Sequence, residues 1–151
     1  MPKRDATTID LFREFDPPPA VERFDAERVR AATLPMLLSA AIKEALREHP
    51  RSRAEVAKAM SEYLGESVAP AMLDKYASMA ASGHTIPAHR LVALAVATGD
   101  VRLLNALVAD AGFIVVPNRY ELLIRRELAK EAAERLSRDA AAADAQWRAG
   151  R

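Results

Sequence analysis

The chain has 151 residues and a mass of 16.5 kDa, with 22 Lys+Arg against 21 Asp+Glu, three His, no Cys, and 50% apolar but only 5% aromatic residues. That length suits one domain burying roughly two-thirds of its unfolded surface, so two independent domains are not expected. The missing cysteines exclude a disulfide framework, a thiolate nucleophile and every Cys-containing zinc site, and they fit a reducing cytoplasm. Alanine, the best helix former, supplies 32 residues, while five Gly, nine Pro and the lack of β-branched runs outside residues 114–116 argue against a sandwich. An all-α fold is predicted. No apolar run approaches the roughly 20 residues needed to span a bilayer, and MPKRDATTID holds no signal-type apolar core, so a soluble cytoplasmic chain without a membrane partner is expected. The net charge of +1 favours no class of partner by itself.

Residues 1–32 read as an N-terminal arm with a short helix. Ile9, Leu11, Phe12 and Phe15 precede Pro17-Pro18-Pro19, which stiffens the backbone and forbids helix continuation. These four apolar side chains would be costly in water, so docking on the body, on another subunit or on a protein partner is expected. Between Ala20 and Ala32 a short helix is predicted, with Val21, Phe24 and Val29 as its apolar points.

Residues 33–117 carry five helices with legible ends. Thr33 can cap the first, with Pro35 in its first turn. Leu34, Leu37, Leu38, Ala41, Ile42, Ala45 and Leu46 recur at the spacing of one buried face, and Pro50 stops it. Ser52 and Glu55 form a capping box for the second, whose inner face is Val56, Ala57, Met60, Tyr63 and Leu64 and whose stop is Gly65. The third starts near Ala69 with Pro70 at its first position, runs through Met72, Leu73, Tyr76 and Met79, and ends at Gly83. Thr85 and Pro87 open the fourth, which carries Ile86, Leu91, Leu94 and Ala95 and stops at Gly99. Asp100 caps the fifth, with Val101, Leu104, Leu107 and Val108 inward and Gly112 as its stop. The expected architecture is a compact orthogonal five-helix bundle containing a helix-turn-helix variant, with an N-terminal arm and a long C-terminal helix. Phe113–Val116 reads as either an edge strand or a linker packed on the core, too short to found a sheet.

Residues 118–151 read as the C-terminal helix, opened by Asn118 with Glu121. Glu121 with Arg125, Glu131 with Arg135 and Glu134 with Arg138 have the favourable order at four-residue spacing. Tyr120, Ile124, Leu128, Ala132, Leu136 and Ala140 step by four, a stripe that drifts round an α-helix rather than holding a seam. Two outcomes stay open for its end: projection and pairing with a second copy, with Trp147 as a late anchor, or fraying beyond Asp139.

No catalytic constellation is visible, and no enzymatic activity, metal or cofactor is expected. His84 and His89 are five residues apart and do not share a helical face, while His49 near a helix C-terminus complements the helix dipole. Ser61, Ser78 and Ser82 lack a nucleophile-elbow context, and the glycines sit singly at helix ends, so no phosphate-cradling loop exists.

The informative stretch is residues 52–82, SRAEVAKAMSEYLGESVAPAMLDKYASMAAS. A helix with a small Ala at its centre, a glycine-containing turn and a second helix opening with small residues is the pattern of a helix-turn-helix. Ala57 would admit close approach of the second helix, Val68 would plug the core, and Leu73 and Tyr76 would take inward positions. The stretch resembles lambda-repressor-like helix-turn-helix domains, with the first helix one turn longer and the turn about one residue longer than in that family. The following AHRLVALAVATGDVRLLNALVADAG is similar to the same region of phage- and prophage-encoded regulatory proteins of Mu-like and related phages, and the likeness spans roughly residues 34–125.

The resemblance implies a DNA-binding transcriptional regulator, acting as a homo-oligomer on double-stranded DNA. Lys75 is then the candidate for base readout, with Ser78 as a lesser contact, while Arg51, Arg53, Lys58 and Arg90, with Arg125 and Arg126 beyond, are candidates for phosphate. Each of these is otherwise a solvated surface group. Residues 34–118 are net zero in charge, residues 1–33 net −1 and residues 119–151 net +2. Nonspecific affinity is therefore expected to be weak, and useful binding to need an oligomer or a localised basic face. The alternative is a protein-interaction module that keeps a helix-turn-helix shape, suggested by the apolar Ala69-Pro70-Ala71-Met72 opening and by the apolar arm.

Overall fold

Helix α1 begins where Thr33 holds extended backbone (φ −136°, ψ 154°) and Pro35 follows in the first turn, although the Thr33 hydroxyl itself makes no capping hydrogen bond. The computed structural model describes residues 19–78 and 85–150. Among these residues the chain is all-α: α1 Leu34–Glu48, α2 Arg53–Leu64, α3 Pro70–Tyr76, α4 Ala88–Thr98, α5 Arg102–Val108 and α6 Glu121–Ala149, with short 3-10 turns at Ala109–Ala111 and Asn118–Tyr120.

α1 buries Leu38, Ala41, Ile42, Ala45 and Leu46, as the three-and-four spacing predicts, and leaves Leu34 exposed at its start. α2 opens on the expected capping box: the Glu55 N–H donates to Ser52 Oγ at 3.3 Å and the Ser52 N–H to Glu55 Oε2 at 2.8 Å. It ends at Gly65, whose φ of +69° is open to glycine at little cost. Tyr63, expected inward, is 54% exposed, whereas Leu64 beside it in the last turn of α2 packs against the core.

α2 packs on α4 and α3, α1 on α5 and α3, and α4 on α5. Ile42, Val56, Met60, Leu73, Leu91, Leu94 and Leu103 fill the centre, each worth about 1.5–3 kcal/mol on burial. In α5 the enclosed residues are Leu103 and Asn105, whereas Val101, Leu104, Leu107 and Val108, expected inward, are half-buried. The reason is that α5 is covered from more than one direction. α1 and α4 pack on it, and Asn105 clasps two distant backbone segments: its Nδ2 donates to Glu22 O at 3.0 Å and Val115 O at 3.1 Å, and its Oδ1 accepts from the Val115 N–H at 2.7 Å.

The helix predicted between Ala20 and Ala32 is a single turn. Asp25 O accepts from the Arg28 and Val29 N–H groups, and Asp25 Oδ1 accepts from the Glu27 N–H. Tertiary bonds organise this segment instead: Val29 is buried, Arg28 bonds Glu44 and Glu48 of α1, and the Arg102 guanidinium stacks 4.2 Å above the Phe24 ring. Residues 113–116 form a linker rather than a strand, bound at Val115. The apolar arm residues Ile9, Leu11, Phe12 and Phe15 lie outside the described residues.

α6 runs unbroken for 29 residues, about 44 Å, past the point at Asp139 where fraying was one of two expectations. None of its residues is buried. Its ion pairs among the described residues are Glu127 with Arg126 and Lys130, and Asp144 with Arg148, rather than the three four-residue pairs read from the sequence.

Candidate nucleic-acid interface

The segment from α2 through α3 is assembled by local bonds. Ser61, one turn before the end of α2, donates its hydroxyl to Ala57 O at 2.7 Å and accepts the Val68 N–H at 2.9 Å. One side chain thus ties the helix to the far side of the Gly65 turn. Val68 is 5% exposed, and Leu73 and Tyr76 on α3 are enclosed, the three positions that the helix-turn-helix pattern assigns to the core.

α3 is shorter than expected. It starts at Pro70 after Ala69 and ends at Tyr76, capped by Ala77, so Ser78 follows the helix instead of riding on it. Met79 and Gly83, expected to continue and stop it, lie outside the described residues, as do His84 and Ser82. Ala71, Asp74 and Lys75 form the exposed side of α3.

The candidate contacts divide into two groups. Arg51, Lys58 and Lys75 are exposed, with Lys58 only 4.0 Å from Glu62 across one helical turn. Arg53 and Arg90 are engaged within the fold. Arg53 Nε lies 2.9 Å from Asp74 Oδ1, linking the start of α2 to the exposed side of α3. Arg90, on α4, is 20% exposed: its Nη1 donates to Tyr76 Oη at 2.9 Å, and its Nε and Nη2 reach Glu66 Oε1 at 2.9 and 2.8 Å. The bonds to Tyr76 and then to Glu66 raise the guanidinium pKa further, so this latch carries its charge throughout. Ser78 is half-buried, its N–H donating to Lys75 O at 3.3 Å.

The Arg53–Asp74 pair and the Arg90–Glu66–Tyr76 latch were not legible in the sequence, because their partners come from different elements. Asp74, whose carboxylate on the exposed side of α3 would by itself repel phosphate, is paired with Arg53. His49 caps α1 through its own N–H to Ala45 O, and its Nε2 is enclosed without a hydrogen-bond partner among the described residues. Among the described residues no cluster of three or more His, Asp or Glu could hold a metal ion, and no helix is long and apolar enough to cross a membrane. Compared with protein-family models, with curated proteins and with solved structures, the chain matches none.

Proposed function

We propose that this chain is a non-enzymatic, DNA-binding regulator of phage or prophage type that acts as an oligomer in the cytoplasm through α2, the Gly65 turn and α3. The observation that carries this reading is the pinned turn: Ser61 holds Val68, Leu73 and Tyr76 anchor α3, and the side left exposed presents Lys75. Lys75 reads bases, Ser78 adds a polar contact at the helix end, and Arg51 and Lys58 supply phosphate contacts from the neighbouring turn and helix. Arg53 reaches phosphate by exchanging Asp74 for it, and Arg90 serves mainly to hold α3 in position.

The test is a titration of the whole protein onto mixed-sequence duplex DNA at low and at moderate salt. Binding that weakens with salt is expected, and Lys75→Ala combined with Arg53→Ala weakens it further, with the logarithmic salt slope shallower by about 1 per bound copy from the lost Arg53 phosphate contact. No binding at low salt, or binding unchanged in the double variant, overturns the proposal.

A second reading draws on the same site: a protein-recognition module. Two of the five candidate cations are engaged by Asp74 and Glu66, and α3 opens with the exposed apolar Ala69-Pro70-Ala71. Retention of one defined protein from the native host after nuclease treatment favours this reading, and retention of none counts against it.

A further inference from the structure

The four-residue stripe on α6 drifts, but a different set of residues repeats every seven. Leu122, Ala129, Leu136 and Ala143 are spaced by seven, and Ala133, Ala140 and Trp147 each follow four residues after one of them. With Arg126, the one charged member, four residues after Leu122, they form a seam along about 39 Å of helix, the pattern of a left-handed coiled coil. Leu122, Leu136 and Trp147 on this seam are 73%, 69% and 59% exposed, on a helix none of whose described residues is buried.

We infer that α6 pairs with α6 of a second copy of this chain as an antiparallel two-helix coiled coil. The charges select both occupant and direction. One edge of the seam carries Arg125 and Asp139, and the other carries Lys130 and Asp144. In an antiparallel pair each edge meets the same edge of the second copy, so Arg125 shares an edge with Asp139 and Lys130 with Asp144, each pair offset by about 7.5 Å along the axis. In a parallel pair opposite edges meet, setting Arg125 against Lys130 and Asp139 against Asp144, with Arg126 facing its own copy inside the seam. Every one of those parallel contacts is repulsive and both antiparallel ones attractive, the discrimination that flanking charges give coiled coils.

The two-fold axis falls between Glu134 and Arg135. It sets Leu122 against Trp147 of the second copy, Ala129 against Ala140, Ala133 against Leu136, and Arg126 against the small Ala143. The alanines bring the axes to the close end of helix packing, about 8 Å. Within one chain Lys130 rests on Glu127 and Asp144 on Arg148, exposed pairs whose exchange costs little. This dimer deepens the DNA-binding reading by supplying its oligomer.

The experiment is run without DNA, so its failure is separable from failure of DNA binding. Light scattering of the full chain is expected to give twice the 16.5 kDa mass, and Leu122→Asp with Leu136→Asp to raise the dimer dissociation constant at least tenfold. The absence of native cysteine makes thiol cross-linking clean. Ala129→Cys and Ala140→Cys variants, treated with a short bifunctional thiol reagent, are expected to cross-link when mixed and not when alone, since like positions lie about 16 Å apart along the antiparallel pair. A monomeric mass, a dimer undiminished by the aspartates, or any other cross-linking pattern overturns the inference.

Discussion

Replacing Ser61 with alanine probes the joint on which the α2–α3 geometry rests. The hydroxyl accepts the Val68 N–H at 2.9 Å, and Val68 is 5% exposed, so its loss strands a donor where water has little access. That costs about 1–3 kcal/mol. One smaller effect opposes it. Alanine is the better helix former by about 0.5 kcal/mol, and the bond from Ser61 Oγ to Ala57 O is a back-bond within the helix that adds little. The net loss is about 1–2 kcal/mol. For a bundle of this size, roughly 4–8 °C of melting temperature accompanies each kcal/mol. Urea denaturation and thermal melts of Ser61→Ala, Ser61→Thr and Ser61→Val provide the assay. The threonine variant keeps the hydroxyl and retains most of the stability, whereas the valine variant has the same shape without it and loses as much as alanine or more. Equal stability of alanine and wild type, or of threonine and valine, would refute the assignment of Ser61 as the pin of the turn. DNA affinity measured on the same variants should fall with alanine and valine and recover with threonine.

The clasp at Asn105 gives a second expectation: Asn105→Ala orphans the Glu22 and Val115 carbonyls and the Val115 N–H, costing about 3 kcal/mol in urea unfolding and raising proteolysis of residues 19–33. Gly65→Ala meets no atom within 4 Å but forces an L-residue to φ +69°, so a loss of about 1 kcal/mol from backbone strain alone is expected. Acid sensitivity has a definite sign. Hydrogen bonds from Arg47 first, and from Arg28, hold the Glu44 carboxyl below its ordinary value despite desolvation, so its contribution is present above the unfolded pKa of about 4.3 and is lost as pH falls through the lower folded value. Unfolding free energy measured from pH 6 downward should therefore fall less steeply below about pH 4.5 in Glu44→Gln than in wild type.

What the sequence by itself determined is the local part of the fold. The capping box at Ser52 and Glu55, Pro35 and Pro70 in first turns, and the left-handed glycines at 65, 99 and 112 all act within about four residues, so helix ends were readable without knowing what packs where. The inner faces of α1 and α4 were largely readable as well, since apolar residues at three-and-four spacing gather on one side of a helix. Only the tertiary structure decided the rest. It left a single turn at residues 25–29 within the segment 20–32, because the contacts of Arg28 and Phe24 run to α1 and α5 rather than along the segment. It turned Asn105 inward, where the groups it satisfies at Glu22 lie 83 residues away. At the candidate site it bound Arg53 to Asp74 and Arg90 to Glu66 and Tyr76, so that two of the five candidate cations there hold a partner from another element. A charged residue in a sequence carries its sign but not its partner. Whether it meets solvent, phosphate or a neighbouring carboxylate is set by helices brought together from distant parts of the chain.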